Sequence, residues 1–147
     1  MNKIVEQVLN SLINEPVFKD FKIRKCDECL IQKTTDGFNK IEFDDHFQSV
    51  DLSNHKLALE IRPIFVRRFD VLSKWFEKYS FKELKIQRNN GQIFNGISNE
   101  EFLFYNSGEH FEEQYKKLRN KVIEKAQVFF MTMQLLNNFT KKKFLQF

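Results

Sequence analysis

Residues 56–62 alternate without a break. Leu57, Leu59 and Ile61 take one parity; Ala58, Glu60 and Arg62 take the other. A period of two is the side-chain period of a strand, and it places one set against a core and the other on a wetter face. An antiparallel sheet offers that asymmetry. A chain built around such a strand must therefore supply antiparallel neighbours and something to cover one face. The nearest neighbour signal is Asp36-Gly37, set between apolar runs, because a type I′ hairpin turn needs positive φ at both central residues. A two-residue loop there pairs Thr35 with Phe38, Leu30 with Phe43 and Gln32 with Ile41. Leu30, Gln32, Ile41 and Phe43 share a face with Cys26 and Phe47, while Cys29, Ile31, Glu42 and Asp44 share the other. Pro63 has no N–H for a ladder, so pairing is expected to end or reach an edge there.

The cover comes from helices. In residues 2–12, Ile4, Val5, Val8, Leu9 and Leu12 fall at helical spacing, and Pro16 stops the helix. Residues 21–34 read as extended, interrupted by the polar segment 25–28. Residues 70–79 read as a helix with Phe69, Leu72, Phe76 and Tyr79 as its stripe, flanked by Val71 and Trp75. Leu84, Ile86 and Phe94 bracket Asn89-Asn90-Gly91 and suggest a second hairpin with Ile86 opposite Phe94. Ser98 and Glu101 form a capping box, which predicts a short helix through Tyr105. The longest helix spans residues 109–136, about 40 Å at ~1.5 Å per residue. Its stripe is Phe111, Tyr115, Leu118, Val122, Ala126, Phe129, Met133 and Leu136, widened by Ile123 and Phe130.

Only four glycines and two prolines occur in 147 residues, so elements are long and turns short. No repeat or linker divides the chain, and this length is that of one domain able to bury a full core. The expectation is a single α+β domain over residues 1–147. Its antiparallel sheet of four to five strands carries helices on one face, with the long C-terminal helix as main cover.

Eighteen phenylalanines stand out, beside many Asn, Lys and Ile. All have AT-rich codons, and large aromatics belong mostly in cores. A net charge of +4 permits an acidic partner without requiring nucleic acid. The N-terminal residues carry no long apolar run, and no stretch approaches the ~20 apolar residues of a membrane span. Two cysteines then fit reduced thiols, and the expected location is the cytosol.

Three clusters carry candidate chemistry. Cys26-Asp-Glu-Cys29 is a CxxC, but zinc needs four ligands and no second pair exists. A redox CxxC opens a helix, whereas this one lies in an extended segment. Asp44-Asp45-His46 with Glu60 is the best catalytic candidate, since carboxylates on adjacent strands can bind a hard cation and activate water for hydrolysis. A sheet nuclease of the PD-(D/E)xK kind would want a lysine where Glu60-Ile61-Arg62 has Arg62, which cannot give up its proton. A regular strand also sends Asp44 and Asp45 to opposite faces. Arg62, Arg67 and Arg68, with Lys22, Arg24 and Lys25, are a candidate phosphate-binding patch, interspersed with Glu60, Asp70 and Glu77. The long helix adds a fourth candidate of another kind: its far end, Phe129, Phe130, Met133 and Leu136, for a partner protein or self-association. No sequence motif calls for a metal or a cofactor.

The order of a helix, a hairpin through TDGF, the strand LALEIRPIF and an aromatic helix resembles small bacterial helix–β-meander–helix families. The likeness covers residues 1–80 and rests on Gly37, Phe38, Ile41, Leu59, Ile61 and Arg62. Some members are immunity or accessory proteins beside toxins, which implies work by protein binding and transfers no site residue. The function expected from the sequence is therefore a non-catalytic cytosolic protein of immunity or regulatory type that acts through a protein partner. The alternatives are a metal-dependent nuclease or hydrolase built on Asp44, Asp45, His46 and Glu60, and a nucleic-acid binder using Arg62, Arg67 and Arg68.

Overall fold

A computed structural model describes residues 2–51, 56–79, 91–97, 100–105 and 108–144. Helix α1, Lys3–Leu12, opens with Asn2 as its cap; the Asn2 side chain accepts from the Ile4 N–H at 2.8 Å. A 3₁₀ turn at Pro16–Phe18 leads to strand β1, Lys22–Arg24. A second 3₁₀ turn, Lys25–Asp27, ends with Glu28 in the left-handed region and gives way to β2, Cys29–Thr34. Strands β3, Gly37–Asp51, and β4, Lys56–Phe69, form the dominant hairpin. At ~3.3 Å per residue each is nearly 50 Å long. Helix α2, Asp70–Tyr79, follows without a break. Then come β5, Gln92–Gly96, β6, Leu103–Tyr105, and helix α3, Phe111–Phe144.

The sheet is antiparallel, in the order β1-β2-β3-β4-β5, with β6 also paired to β4. Among the described residues that is six strands, one beyond the expected range. The extra strand is β6, where the capping-box reading predicted a helix. Phe102 and Phe104 alternate into the core there, and Leu103 lies between them opposite Glu60.

The hairpin register differs from the expected one by two. Thr34 pairs with Gly37 and Leu30 with Ile41, so the turn is Thr35-Asp36 rather than Asp36-Gly37. Among the described residues, positive φ outside glycine occurs only at Glu28 and His110, so the turn is not type I′. A shift of two preserves parity, so the face assignments within β2 and β3 survive; Cys26, expected on the inner face, lies instead in the 3₁₀ turn before β2 and is exposed. The inner face carries Leu30, Ile41, Phe43, Leu59, Ile61 and Phe65 against α1 and α3. The outer face carries Cys29, Lys40, Glu42, Asp44, His46, Glu60 and Arg62.

Strand β4 does not stop at Pro63. Against β3 the ladder continues to Phe69. The Ile61 N–H donates to the Phe102 carbonyl, away from β3, so residues of that parity direct their N–H groups to the other edge. Pro63 shares this parity. It falls between the β6 partners, which end at Glu60, and the β5 partners, which begin at Ile64. The missing donor thus sits in the gap between two short strands.

Helix α3 lies along β4. Phe111 meets Phe104 near one end, and Phe129 and Phe130 meet Phe65 further on. Leu118, Val122, Ala126 and Phe129 are buried, with Phe111, Tyr115, Ile123, Phe130 and Met133 partly so. Leu57, expected on the core floor, is half exposed because the hairpin outruns its helical cover. In α2, Leu72 and Trp75 are exposed. The predicted Ile86–Phe94 pairing falls on residues outside those described.

Candidate functional site

The β3–β4 register decides the polar cluster. His46 lies opposite Glu60 and Asp44 opposite Arg62, all on the outer face; Asp45 lies opposite Ile61 on the inner side. Glu60 is 3% exposed, although its parity is that of the wetter face. Its carboxylate accepts from His46 Nε2 at 2.8 Å, from Arg62 Nε at 3.0 Å and from Arg62 Nη2 at 3.3 Å. Leu103 of β6 flanks it on the remaining side. Glu60 in turn raises the pKa of Arg62, first by accepting its hydrogen bond and then by its charge. Both oxygens of Glu60 are therefore engaged by the Arg62 guanidinium, which neutralises the charge a metal or a reacting centre would need, and His46 occupies one of them as well.

Asp45 turns toward another carboxyl. Glu28, held beside it by the left-handed turn, has a raised pKa, mainly from burial and then from its hydrogen bond to Asp45. A cavity of about 350 Å³ opens at this point, where β2 begins and β3 runs on beyond it paired with β4. Cys26, Asp27, Glu28, Glu42, Phe43, Asp44, Asp45 and Ile64 line it. The structure thus brings Asp44, His46 and Glu60 to one face and directs Asp45 to the other. Among the described residues no three His, Cys, Asp or Glu side chains are grouped to hold a metal ion.

Neither cysteine is in a disulfide. Cys26 is exposed, while Cys29 is buried, and burial pushes its thiol up to about 11. In the native protein a disulfide-exchange reagent is expected to titrate one thiol, Cys26, with Cys29 reacting only in denaturant. Two equally fast thiols in native buffer would contradict this burial.

The arginine patch does not form. Arg62 and Arg68 project from the outer face, but Arg67 has the inner parity and is 1% exposed. Its guanidinium donates to Asp36 Oδ1 at 2.7 Å, Thr34 Oγ1 at 2.9 Å, the Arg68 carbonyl at 3.0 Å and the Phe38 carbonyl at 3.2 Å. It also stacks over the Phe69 ring, 4.4 Å from the centroid. Asn137 of α3 donates its side-chain amide to the other Asp36 oxygen. Arg67 is thus the buried clasp that ties the β2–β3 turn to β4 and α3. Arg68 is held by Asp70 and by the Phe38 ring.

The partner-binding candidates need a similar correction. Phe129, Phe130 and Met133 belong to the core stripe. Leu136 is exposed, at the flank of that stripe. The exposed apolar residues Val128, Met131, Leu135 and Phe139 lie on the opposite face of α3. Reading the stripe by spacing selected its buried side. The signal for the other side is the charge pattern: residues 126–140 contain no Asp, Glu, Lys or Arg, in a chain that is 30% charged.

Fold and site together define an α+β domain with a helix-covered inner sheet face, an ion-paired outer face and an apolar helix surface. Comparison with protein-family models, curated proteins and solved structures finds no match.

Proposed function

We propose that the protein works by binding another protein through the outward face of the second half of α3, without chemistry of its own. One observation carries the reading: the same face of the same helix changes character along its length. At ~100° per residue, Lys117, Lys121 and Glu124 share one outward line with Val128, Met131, Leu135 and Phe139. The first three are charged and exposed. Val128, Met131 and Leu135 are equally open, at 62%, 65% and 63%. A helix face turned to water carries polar residues. An apolar segment rimmed by charge marks an interaction surface. The engaged state of Glu60 supports the non-catalytic part. An immunity or regulatory role is the biological form of this reading, since both act by occupying a partner's surface.

The test is Leu135→Glu. Folding stability should stay within about 0.5 kcal/mol of wild type, because the side chain leaves the core untouched. Partner retention in affinity purification from the native host should be lost. Equal retention by variant and wild type would rule out this face.

A further inference from the structure

We infer that the open edge of β3 beyond β2 takes up an extended, basic segment of a partner chain as an added strand, seated between the acid-lined cavity and the uncovered apolar pair Phe47 and Leu57. This surface is separate from the α3 face and stands independently of it. The first support is the ladder. Strand β2 pairs with β3 only as far as Glu42, whereas β3 runs on to Asp51 against β4. The Phe43 N–H donates to the Glu28 carbonyl at 3.1 Å, toward the β2 side. Asp45 and Phe47 share that parity, so their N–H and C=O groups point away from β4. Among the described residues no strand pairs with them there. A row of open main-chain donors and acceptors is a template for strand addition.

The side chains along this edge state what the added strand must carry. On the inner face Phe47 and Leu57 are 56% and 50% exposed, past the end of the helical cover. Phe47 lies opposite Leu59, and Leu57 is the preceding residue of that parity on β4, so the pair extends the core by one step. An apolar side chain of the added strand covers that step, as cross-strand neighbours do. At the other end, where β2 begins, the cavity wraps the same edge, and Glu28, Asp44 and Asp45 line it. Two further acids of the lining already have cations: Glu42 has Lys40 at 2.6 Å and Asp27 has Arg24 at 3.3 Å. Arg62 lies opposite Asp44, but its guanidinium is committed to Glu60. Among the described residues the lining holds no lysine, arginine or histidine. A lysine or arginine of the occupant supplies that charge.

The same acids exclude other occupants. A second copy paired edge to edge would bring the same carboxylates to the contact, and like charges across a ladder are destabilising. Charge is also how natural edges avoid pairing with themselves. Residues 44–51 span about 25 Å at ~3.3 Å per residue, room for a strand of ordinary length.

The test uses the purified full chain and two short synthetic peptides, one alternating lysine with valine and the other glutamate with valine. With the lysine peptide at ten times its Kd, amide exchange at Asp45 and Phe47 should slow about tenfold, while Val128 and Met131 keep their rates. The glutamate peptide should bind at least about fivefold more weakly, the scale of one exposed ion pair. Asp44→Lys should weaken the lysine peptide by about the same factor and tighten the glutamate peptide. Leu135→Glu should bind the lysine peptide as wild type does, which separates this edge from the α3 face. Bound peptide without slowing at Asp45 and Phe47 overturns strand addition, and equal binding of the two peptides overturns the basic occupant. Binding of neither at millimolar concentration overturns the whole proposal. Slowing that grows with protein concentration in the absence of peptide puts a second copy on the edge and overturns the partner chain.

Discussion

Arg67→Ala is expected to lower folding stability by about 3–5 kcal/mol, the range for breaking a buried ion pair by removing one partner. The Asp36 side chain is only 13% exposed, so its carboxylate would be left largely desolvated without its counter-charge, although the Asn137 amide and the Thr34 hydroxyl still donate to it. The Phe38 and Arg68 carbonyls would lose the donor they now share. An unmet buried group costs more than a formed hydrogen bond gains, which is why the loss exceeds a simple count of bonds. At ~2–4 °C per kcal/mol for a domain of this size, the melting point should drop by about 10 °C or more. Arg67→Lys keeps the charge but not the planar fork, and should fall between variant and wild type. A melting point within ~2 °C of wild type for Arg67→Ala would show that the clasp is dispensable. Because it joins the turn, β4 and α3, hydrogen exchange should also quicken around residues 34–38 rather than along the centre of β4.

Gly37→Ala should destabilise by roughly 3 kcal/mol for a different reason. Gly37 has φ +155° and sits at the start of β3, opposite Phe69. A Cβ built there overlaps the Arg68 carbonyl oxygen, and that atom is backbone. No side-chain rotation relieves the clash; the two central strands must separate at their base. The expected magnitude combines overpacking of about 1–3 kcal/mol with backbone strain of a similar order. Urea unfolding of Gly37→Ala beside Thr35→Ala checks it, since the second substitution changes the turn without entering the strand contact. Equal midpoints for the two would remove the close-approach argument. The two predictions meet in one place: Arg68 supplies the oxygen that excludes a Cβ at Gly37, and the same oxygen accepts from Arg67.

The sequence was legible where burial follows a local period. The stripes of α1 and of the first part of α3, the parities of β2, β3 and β4, and the span of α2 all come from apolar residues repeating at 3.6 or at 2. It was less legible where a polar residue interrupts the period for a reason held elsewhere. Arg67 continues the inward parity of Leu59, Ile61 and Phe65, yet a charged side chain there reads as surface. Asp36, thirty-one positions away, supplies the counter-charge, and Thr34 and the Phe38 carbonyl supply further acceptors, that make its burial favourable. Glu60 misled in the same way, its cover coming from His46 across the ladder and Leu103 of β6. The capping-box pattern at Ser98 outweighed the Phe102–Phe104 alternation, because a three-residue strand has almost no periodicity to show.

The sequence by itself determined the class: a twisted antiparallel sheet with one apolar face, and long helices of the right pattern to cover it. Hydrophobic burial is non-directional and scales with area, so a local pattern is enough to specify it. Tertiary structure alone decided which charges are buried, which carboxylates meet, and which side of α3 is left outside. Those outcomes depend on directed hydrogen bonds and on register between segments far apart in the chain. They became visible only once Asp36, Arg67 and Asn137 had been brought to one point.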